Sequence, residues 1–482
     1  MVNIDNKLDC LLISPPIFYN TSDNIWTKVN SNFPPLGLAS IAAFARNKGF
    51  SVKMIDCNIE SPSVEDFEIF FVKNFVDKYN EISVIGLTAM TPTIKKAYRI
   101  AEICRKFYPG ALIVFGGVHP TFVTEEVIKQ PFVDIVAVGE GEITSWEILE
   151  QKELDSIDGI VYKDKNDNNK IIYNKPRTRI LNLDELPMPA YDLLPITEYR
   201  PAKGSYKRLP AMAMMTSRGC PGRCTFCAKT LGLQLFFKSA KIIFQEIKYL
   251  VDNYGIKEIL FYDDTFTVHK RNVIELCNLL LDNRIDITWT CFARVDFVDE
   301  EMLVKMKEAG CHQIMYGVEN TDSAVLLNIK KQINIDQVFS AVKWTKQAKI
   351  ECRLAFMVGN PGDSVAIVKK NIAVIKKLDP DLLIVNITTP FPGTEMFAWA
   401  DKKGLLLSYD WDDYDLAHPV MRLENMDVKD IKKLYKIMYR SFYFRPRFII
   451  KKILSIRSCE DFKVLFSGFT ALLSFFTIKP KK

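Results

Sequence analysis

Three cysteines within eight residues, Cys220, Cys224 and Cys227, constrain this chain more than any other feature. They lie in the run Ser217-Arg218-Gly219-Cys220-Pro221-Gly222-Arg223-Cys224-Thr225-Phe226-Cys227. Glycine and proline beside them let the backbone turn tightly around whatever the thiolates grip. Clustered thiolates suit a soft metal centre. A structural zinc site wants four closed ligands. No fourth Cys or His is close, the nearest histidine being His269. A four-iron cluster usually takes four cysteines as well. Three from one loop would leave one iron open to a substrate.

The spacing, C-x3-C-x2-C with Phe226 before the last cysteine, resembles the signature of the radical S-adenosylmethionine (SAM) superfamily. The resemblance implies a [4Fe-4S] cluster on Cys220, Cys224 and Cys227, its open iron chelating SAM. An electron from the cluster then splits the sulfonium to a 5′-deoxyadenosyl radical. It also implies an external electron donor of flavodoxin or ferredoxin type.

A chain of 482 residues holds two or three domains. Its 48% hydrophobic and 25% charged content is that of a globular protein and excludes a disordered one. No apolar run reaches the roughly 18 residues of a membrane span. The N-terminus has no signal-peptide shape, so a cytosolic location is expected. The eleven cysteines are then thiols and ligands rather than disulfides. Charge is uneven. Residues 431–482 hold 13 Lys and Arg against 2 Asp and Glu, so the rest of the chain is net acidic.

Residues 1–150 read as alternating strands and helices. Apolar runs at Leu8–Ile13, Val52–Ile55, Val84–Leu87, Leu112–Phe115 and Asp134–Val138 read as buried parallel strands. Leu38, Ile41, Ala42 and Ala45 make one helical stripe, and Ile94, Ala97, Ala101 and Cys104 another. Such an order predicts a doubly wound parallel sheet, with ligands beyond the carboxyl ends of its strands. Ser14, Thr88, Thr91, Gly116, Gly117, His119, Gly139, Glu140 and Gly141 sit at those ends. Placed before the cysteine loop, this module resembles the cobalamin-binding domain of cobalamin-dependent radical SAM enzymes. Gly-Gly-Val-His-Pro and Val-Gly-Glu-Gly-Glu carry that resemblance. It implies that those nine residues approach cobalamin. The Asp-x-His-x-x-Gly motif of the wider cobalamin family is absent, so no protein histidine is expected on cobalt. Cys10, Cys57 and Cys104 could alternatively ligate a second cluster, as in tRNA methylthiotransferases. Their apolar strand and helix settings favour small buried hydrophobes instead.

Residues 151–210 read as a connector. It holds a hairpin, Ile160–Tyr162 and Ile171–Tyr173, and a proline-interrupted linker, Leu183–Tyr191. Residues 211–400 again alternate, with strands at Ala211–Thr216, Glu258–Tyr262, Ile287–Phe292, Gln313–Gly317, Glu351–Val358 and Leu382–Thr388. Six strands suggest the partial (β/α)6 barrel of radical SAM enzymes, with chemistry at the carboxyl ends. The resemblance places the SAM site on Phe226, on Asp263 and Asp264 for the amino group, and on Arg294 for the carboxylate. Glu319 would serve the ribose, and Val358 and Gly359 the adenine side.

Residues 401–482 read as a basic, mostly helical region with Tyr435, Tyr439, Phe442, Tyr443, Phe444 and Phe448 interleaved. Packing against the body is its default arrangement, and contact with an anionic membrane surface comes next. No nucleic-acid-binding motif is present, so none is expected as partner. The substrate is expected to be a small molecule or lipid. The expected fold is therefore a cobalamin-binding Rossmann-like sheet, a radical SAM partial barrel and a helical C-terminal region. The expected reaction is hydrogen abstraction from an unactivated carbon followed by methyl transfer from methylcobalamin. Rival readings are an oxidative cyclase with the same cofactors, and a cluster-bearing binding or electron-transfer protein without SAM cleavage.

Overall fold

The computed structural model describes residues 6–17, 31–61, 63–164, 167–454 and 470. They form two compact units, one built largely on residues 32–199 and the first strand, the other on residues 200–227 and 233–454.

The first unit is a seven-stranded sheet of β1 (Lys7–Ser14), β2 (Val52–Asp56), β3 (Glu81–Thr88), β4 (Leu112–Gly116), β5 (Ile135–Ala137), β6 (Ile160–Asp164) and β7 (Lys170–Tyr173), ordered β2-β1-β3-β4-β5-β6-β7. The first five are parallel; β6 and β7 continue antiparallel. Helices cover both faces, so these strands are continuous apolar runs. In the helix Ile94–Phe107 the residues Ile94, Ala97, Ile100, Ala101 and Cys104 are buried, a stripe at helical spacing. The hairpin of β6 and β7 thus extends the sheet through β5. A further helix, Val64–Phe71, runs into a π turn at Val72–Val76 between β2 and β3.

The second unit holds six parallel strands, β8 (Ala211–Met214), β11 (Glu258–Phe261), β12 (Thr288–Ala293), β13 (Cys311–Glu319), β14 (Glu351–Val358) and β15 (Leu382–Ile387), ordered β15-β14-β13-β12-β11-β8. Between β8 and β11 the ribbon of β9 (Ser217–Arg218) and β10 (Phe236–Phe237) closes the base of the cysteine loop. Connecting helices are capped by their sequence. Ser239 accepts from Ile242 N, Asn334 and Gln337 form a capping box, and Gly255 ends its helix left-handed at φ 62°. At the amino-terminal ends of the strands, buried Glu258 accepts from Lys207 N at 2.7 Å, Arg208 N at 2.8 Å and Thr288 Oγ1 at 2.8 Å, and meets His312 Nε2 at 2.6 Å. The unit is a partial (β/α)6 barrel, left open at β15 and β8.

The C-terminal helix Val428–Tyr443 manages one open edge. Tyr439 Oη donates to Val385 O and accepts from Val385 N, both at 3.0 Å. Tyr443 Oη does the same with Leu383, at 2.7 and 3.1 Å. A helix rises about 6 Å in four residues and a strand about 6.6 Å in two. Tyrosines four apart therefore match backbone groups two apart. This turns a pairing-prone edge into a covered one. Tyr439→Phe leaves a buried N–H and C=O without their hydroxyl and is expected to cost about 1–3 kcal/mol, read by urea denaturation.

Trp411 and Tyr414, both buried, pack edge to face with ring centroids 5.2 Å apart in the loop after the barrel. The helix Pro446–Leu454 follows. The apolar stretch Phe466–Phe476, with Lys479 and Lys481, lies outside the described residues apart from Thr470. Among the described residues no helix is long and apolar enough to cross a membrane.

Candidate functional site

The cysteine loop is held from below by Asp263. This aspartate has no accessible surface. It accepts from Thr216 N at 2.8 Å, Thr216 Oγ1 at 3.1 Å and Ser217 Oγ at 2.6 Å. Burial pushes its carboxyl up to about 6 although these donors pull the other way. Asp263 and Asp264 thus separate in role: the first turns inward to the loop's root, and the second is exposed. Further along, Thr225 N donates to Ile329 O at 3.0 Å and Met396 N donates to Thr225 O at 2.9 Å.

Gly222 marks where the loop closes. A Cβ there would lie 3.3 Å from Cys220 Sγ, 3.9 Å from Cys224 Sγ and 3.1 Å from Arg294 Nη1. Two thiols and a guanidinium converge closely on this position, where a side chain would make the arginine and Cys220 give by a few tenths of an ångström. Cys220 Sγ also lies 3.8 Å from Thr265 Oγ1. The Cys227 thiol is raised to about 12 by desolvation first, then by the Asp264 carboxylate and the other two thiols, although the residue as a whole is exposed. Among the described residues no three His, Cys, Asp or Glu are gathered to hold a metal ion. A four-iron cube is wider than an ion, and its ligands need not meet at a point.

Two buried cations flank the thiols. Arg294 grips Asp296 through Nε at 3.0 Å and Nη2 at 2.8 Å, and Nη2 reaches Lys331 O at 3.2 Å. That fork points Nη1 at the loop. Lys331 Nζ pairs with Glu319 Oε1 at 3.0 Å and lies 6.0 Å from the centre of the Phe226 ring. Burial opposes the lysine's charge, but Glu319 and then Cys224 more than offset it, so its pKa is raised. Glu319, the last residue of β13, sits at φ 67°. A left-handed non-glycine residue at a strand end is a strained position of the kind found at functional sites. Gly317, two residues before it, leaves room for both side chains: a Cβ there would meet Glu319 Oε1 at 2.5 Å and Lys331 Nζ at 3.0 Å.

Cys220, Cys224, Cys227, Phe226, Asp264, Arg294 and Glu319 therefore share the carboxyl end of the barrel. Val358 and Gly359 belong to the next turn. There Asp363 accepts from Gly359 N and Asn360 N at 3.1 Å each, and Gly359 packs against Ile431. The sequence reading missed Lys331. It lies twelve residues past Glu319, in a lysine pair after the helix Ser323–Asn328, a pattern that normally means a solvated helix end.

In the first unit the strand order reverses between β1 and β3, the switch point where doubly wound sheets bind ligands. Ser14 ends β1, and Thr88 and Gly116 are register partners ending β3 and β4. Gly117, at φ 95°, approaches Thr88 so closely that a Cβ would lie 2.6 Å from its Oγ1. His119 is buried, lies 3.2 Å from Thr91 Oγ1 through Nδ1, and is lowered to about 4 by burial. It is a neutral packing group of this turn. Gly139 N donates to Thr121 Oγ1 at 3.2 Å, and Gly141 backs onto Ile41. Glu140 accepts from Ile180 N at 2.8 Å, so part of its carboxylate serves the chain itself. Cys10, Cys57 and Cys104 are buried, and burial pushes Cys10 up to about 12.

Comparison with known proteins adds the family. Residues 24–149 match the B12 binding domain, and residues 214–375 match the radical SAM superfamily. An uncharacterized methyltransferase of Pyrococcus horikoshii is 36% identical over 92% of this chain and 94% of its own length. The anaerobic magnesium-protoporphyrin IX monomethyl ester cyclase of Rubrivivax gelatinosus is 25% identical over 88% of this chain and 76% of its own. The cobalamin-dependent SAM radical enzyme OxsB, solved with aqua-cobalamin and SAM bound, superposes with a TM-score of 0.73 at 18% identity, over 98% of this chain and 74% of that one. This last likeness is one of fold. The cofactors are cobalamin, SAM and a [4Fe-4S] cluster, and the chain belongs to the cobalamin-binding radical SAM enzymes.

Proposed function

We propose that this enzyme transfers a methyl group to an unactivated carbon of a small molecule or lipid. The convergence of Cys220, Cys224 and Arg294 on Gly222 carries the reading. When bound, the cluster and SAM supply a carbon-centred radical that removes a hydrogen atom, and cobalamin supplies the methyl group.

The chain's residues hold and orient. Cys220, Cys224 and Cys227 would ligate the cluster as thiolates. Burial raises the Cys224 thiol, and the positive charges of Lys331 and then Arg294 pull against that shift, toward the thiolate. Asp264 is the carboxylate free to receive the SAM ammonium, because Asp263 is committed to Thr216 and Ser217. Arg294 Nη1 and Lys331 offer charge-assisted donors to the SAM carboxylate. Glu319, held by Lys331, serves the ribose hydroxyls, and the Val358–Gly359 turn the adenine. In the first unit, Ser14, Thr88, Thr91, Gly116, Gly117, Gly139 and Gly141 line the switch-point crevice for cobalamin. His119 supports the Thr91 side of it, and Glu140 anchors its far turn. An external one-electron donor of flavodoxin or ferredoxin type reduces the cluster.

The cyclase relative makes an oxidative cyclisation the second reading. Methyl-deuterated SAM separates them. With the reconstituted enzyme and a metabolite and lipid extract, deuterium is expected in one product. Substrate turnover with 5′-deoxyadenosine formed but no deuterium in the product would favour the cyclase.

A further inference from the structure

The six-stranded sheet has two unlike faces. Cys352, Leu354 and Phe356 point to the covering helices and are sealed, and Tyr316 bonds Thr345 of the helix Ile335–Gln347 at 2.9 Å. The alternate residues face the barrel interior. The register sets Arg353 of β14 beside Met315 of β13 and Leu382 of β15. Tyr262 and Phe292, ring to ring at 5.0 Å, lie on the same face.

Other charged groups on this interior face have partners. Glu258 has His312 and two backbone N–H groups, and Glu351 accepts from Gln313 at 3.1 Å. Arg353 makes no hydrogen bond or ion pair with any described residue. Its Nε is sealed from solvent without an acceptor. The titratable groups acting on it are the phenols of Tyr443, Tyr262 and Tyr439, with no carboxylate among them, and burial lowers its pKa. A guanidinium stays protonated in proteins, so this is a standing positive charge. Four residues beyond Leu382, the β15 partner of Arg353, and beside Met357, Asn386 Oδ1 is likewise buried without a donor. Buried polar groups nearly always have partners, and exceptions need a reason.

The geometry points to Arg353 as the anchor for an oxyanion of the substrate, a carboxylate or phosphate gripped inside the barrel. The apolar remainder of that substrate runs past Met315, Tyr262 and Phe292 toward the carboxyl-end rim. Arg353 lies four residues before Met357, about 13 Å of strand rise. The substrate is therefore an elongated acid whose reacting carbon is distant from its anionic end. This rests on the SAM site proposed above at the carboxyl end of the barrel.

The test is equilibrium binding of hexanoate and of hexyl phosphate to the cluster-reconstituted full chain, wild type against Arg353→Gln and Arg353→Lys. Wild type binds at least one probe, and which one identifies the anion. Arg353→Gln weakens that probe by about tenfold or more, and Arg353→Lys retains part of the affinity. Arg353→Met, which removes an unpaired, half-buried charge, keeps or raises the melting temperature without ligand. Equal affinities in wild type and Arg353→Gln, failure of wild type to bind either probe, or a large drop in melting temperature for Arg353→Met would each overturn the assignment. So would a matching loss of SAM affinity in Arg353→Gln. No arm requires SAM cleavage, so failure here leaves the cleavage assay unaffected.

Discussion

Replacing Cys220, Cys224 and Cys227 together with alanine is expected to abolish 5′-deoxyadenosine formation, a loss of at least about a thousandfold set by assay background. The iron–sulfur absorption should vanish with it, because no other described cysteines are placed to substitute. Cys10, Cys57 and Cys104 are buried in the first unit, and Cys277, Cys291, Cys311 and Cys352 are buried in the second. The fold should survive, since these thiols lie on a loop and not in a packed layer. Circular dichroism of the triple variant checks that. Iron retained at wild-type level would mean that the loop is not the cluster site.

Asp263→Ala is the second large effect. It strips acceptors from Thr216 N–H, Thr216 Oγ1 and Ser217 Oγ at the root of the loop, and leaves a sealed space where the carboxylate was. A cost of about 2–4 kcal/mol in unfolding free energy is expected. Cluster occupancy after reconstitution should fall with it, because the thiols lose their registration. Asp263→Asn keeps one acceptor and reports on charge. The folded carboxyl titrates near 6, above the roughly 3.9 of an unfolded aspartate. The folded chain thus holds this proton more tightly. The group's stabilising contribution is full below the unfolded value and is lost as pH rises through the folded one. Between pH 5 and 7.5, wild type should lose roughly 1–1.5 kcal/mol relative to Asp263→Asn. Chemical denaturation at the two pH values reads the difference, and no change would mean that Asp263 is ionised throughout that range.

Much of the architecture was legible because it is written locally. Thiolate spacing in the Cys220–Cys227 loop and apolar runs ending in glycine or threonine need only neighbours in sequence. What escaped depends on partners far along the chain. Asp263 and Asp264 are adjacent and chemically alike, and only the fold of β8 against β11 turns one inward. Lys331 looks like any lysine at a helix end until β13 brings Glu319 to it. Tyr435, Tyr439 and Tyr443 read as aromatics interleaved in a basic helical region, with no sign of the edge of β15 that the helix covers. The hairpin of β6 and β7 read as a connector because an edge strand's partner cannot be named from its own residues.

Every assignment proposed for the site turns on SAM cleavage at the Cys220–Cys227 loop. Its most direct test is 5′-deoxyadenosine formation by the anaerobically reconstituted full chain, with SAM and dithionite. The expected result is 5′-deoxyadenosine whose formation requires both iron and reductant. A reduced, cluster-loaded protein that binds SAM and yields none would contradict it.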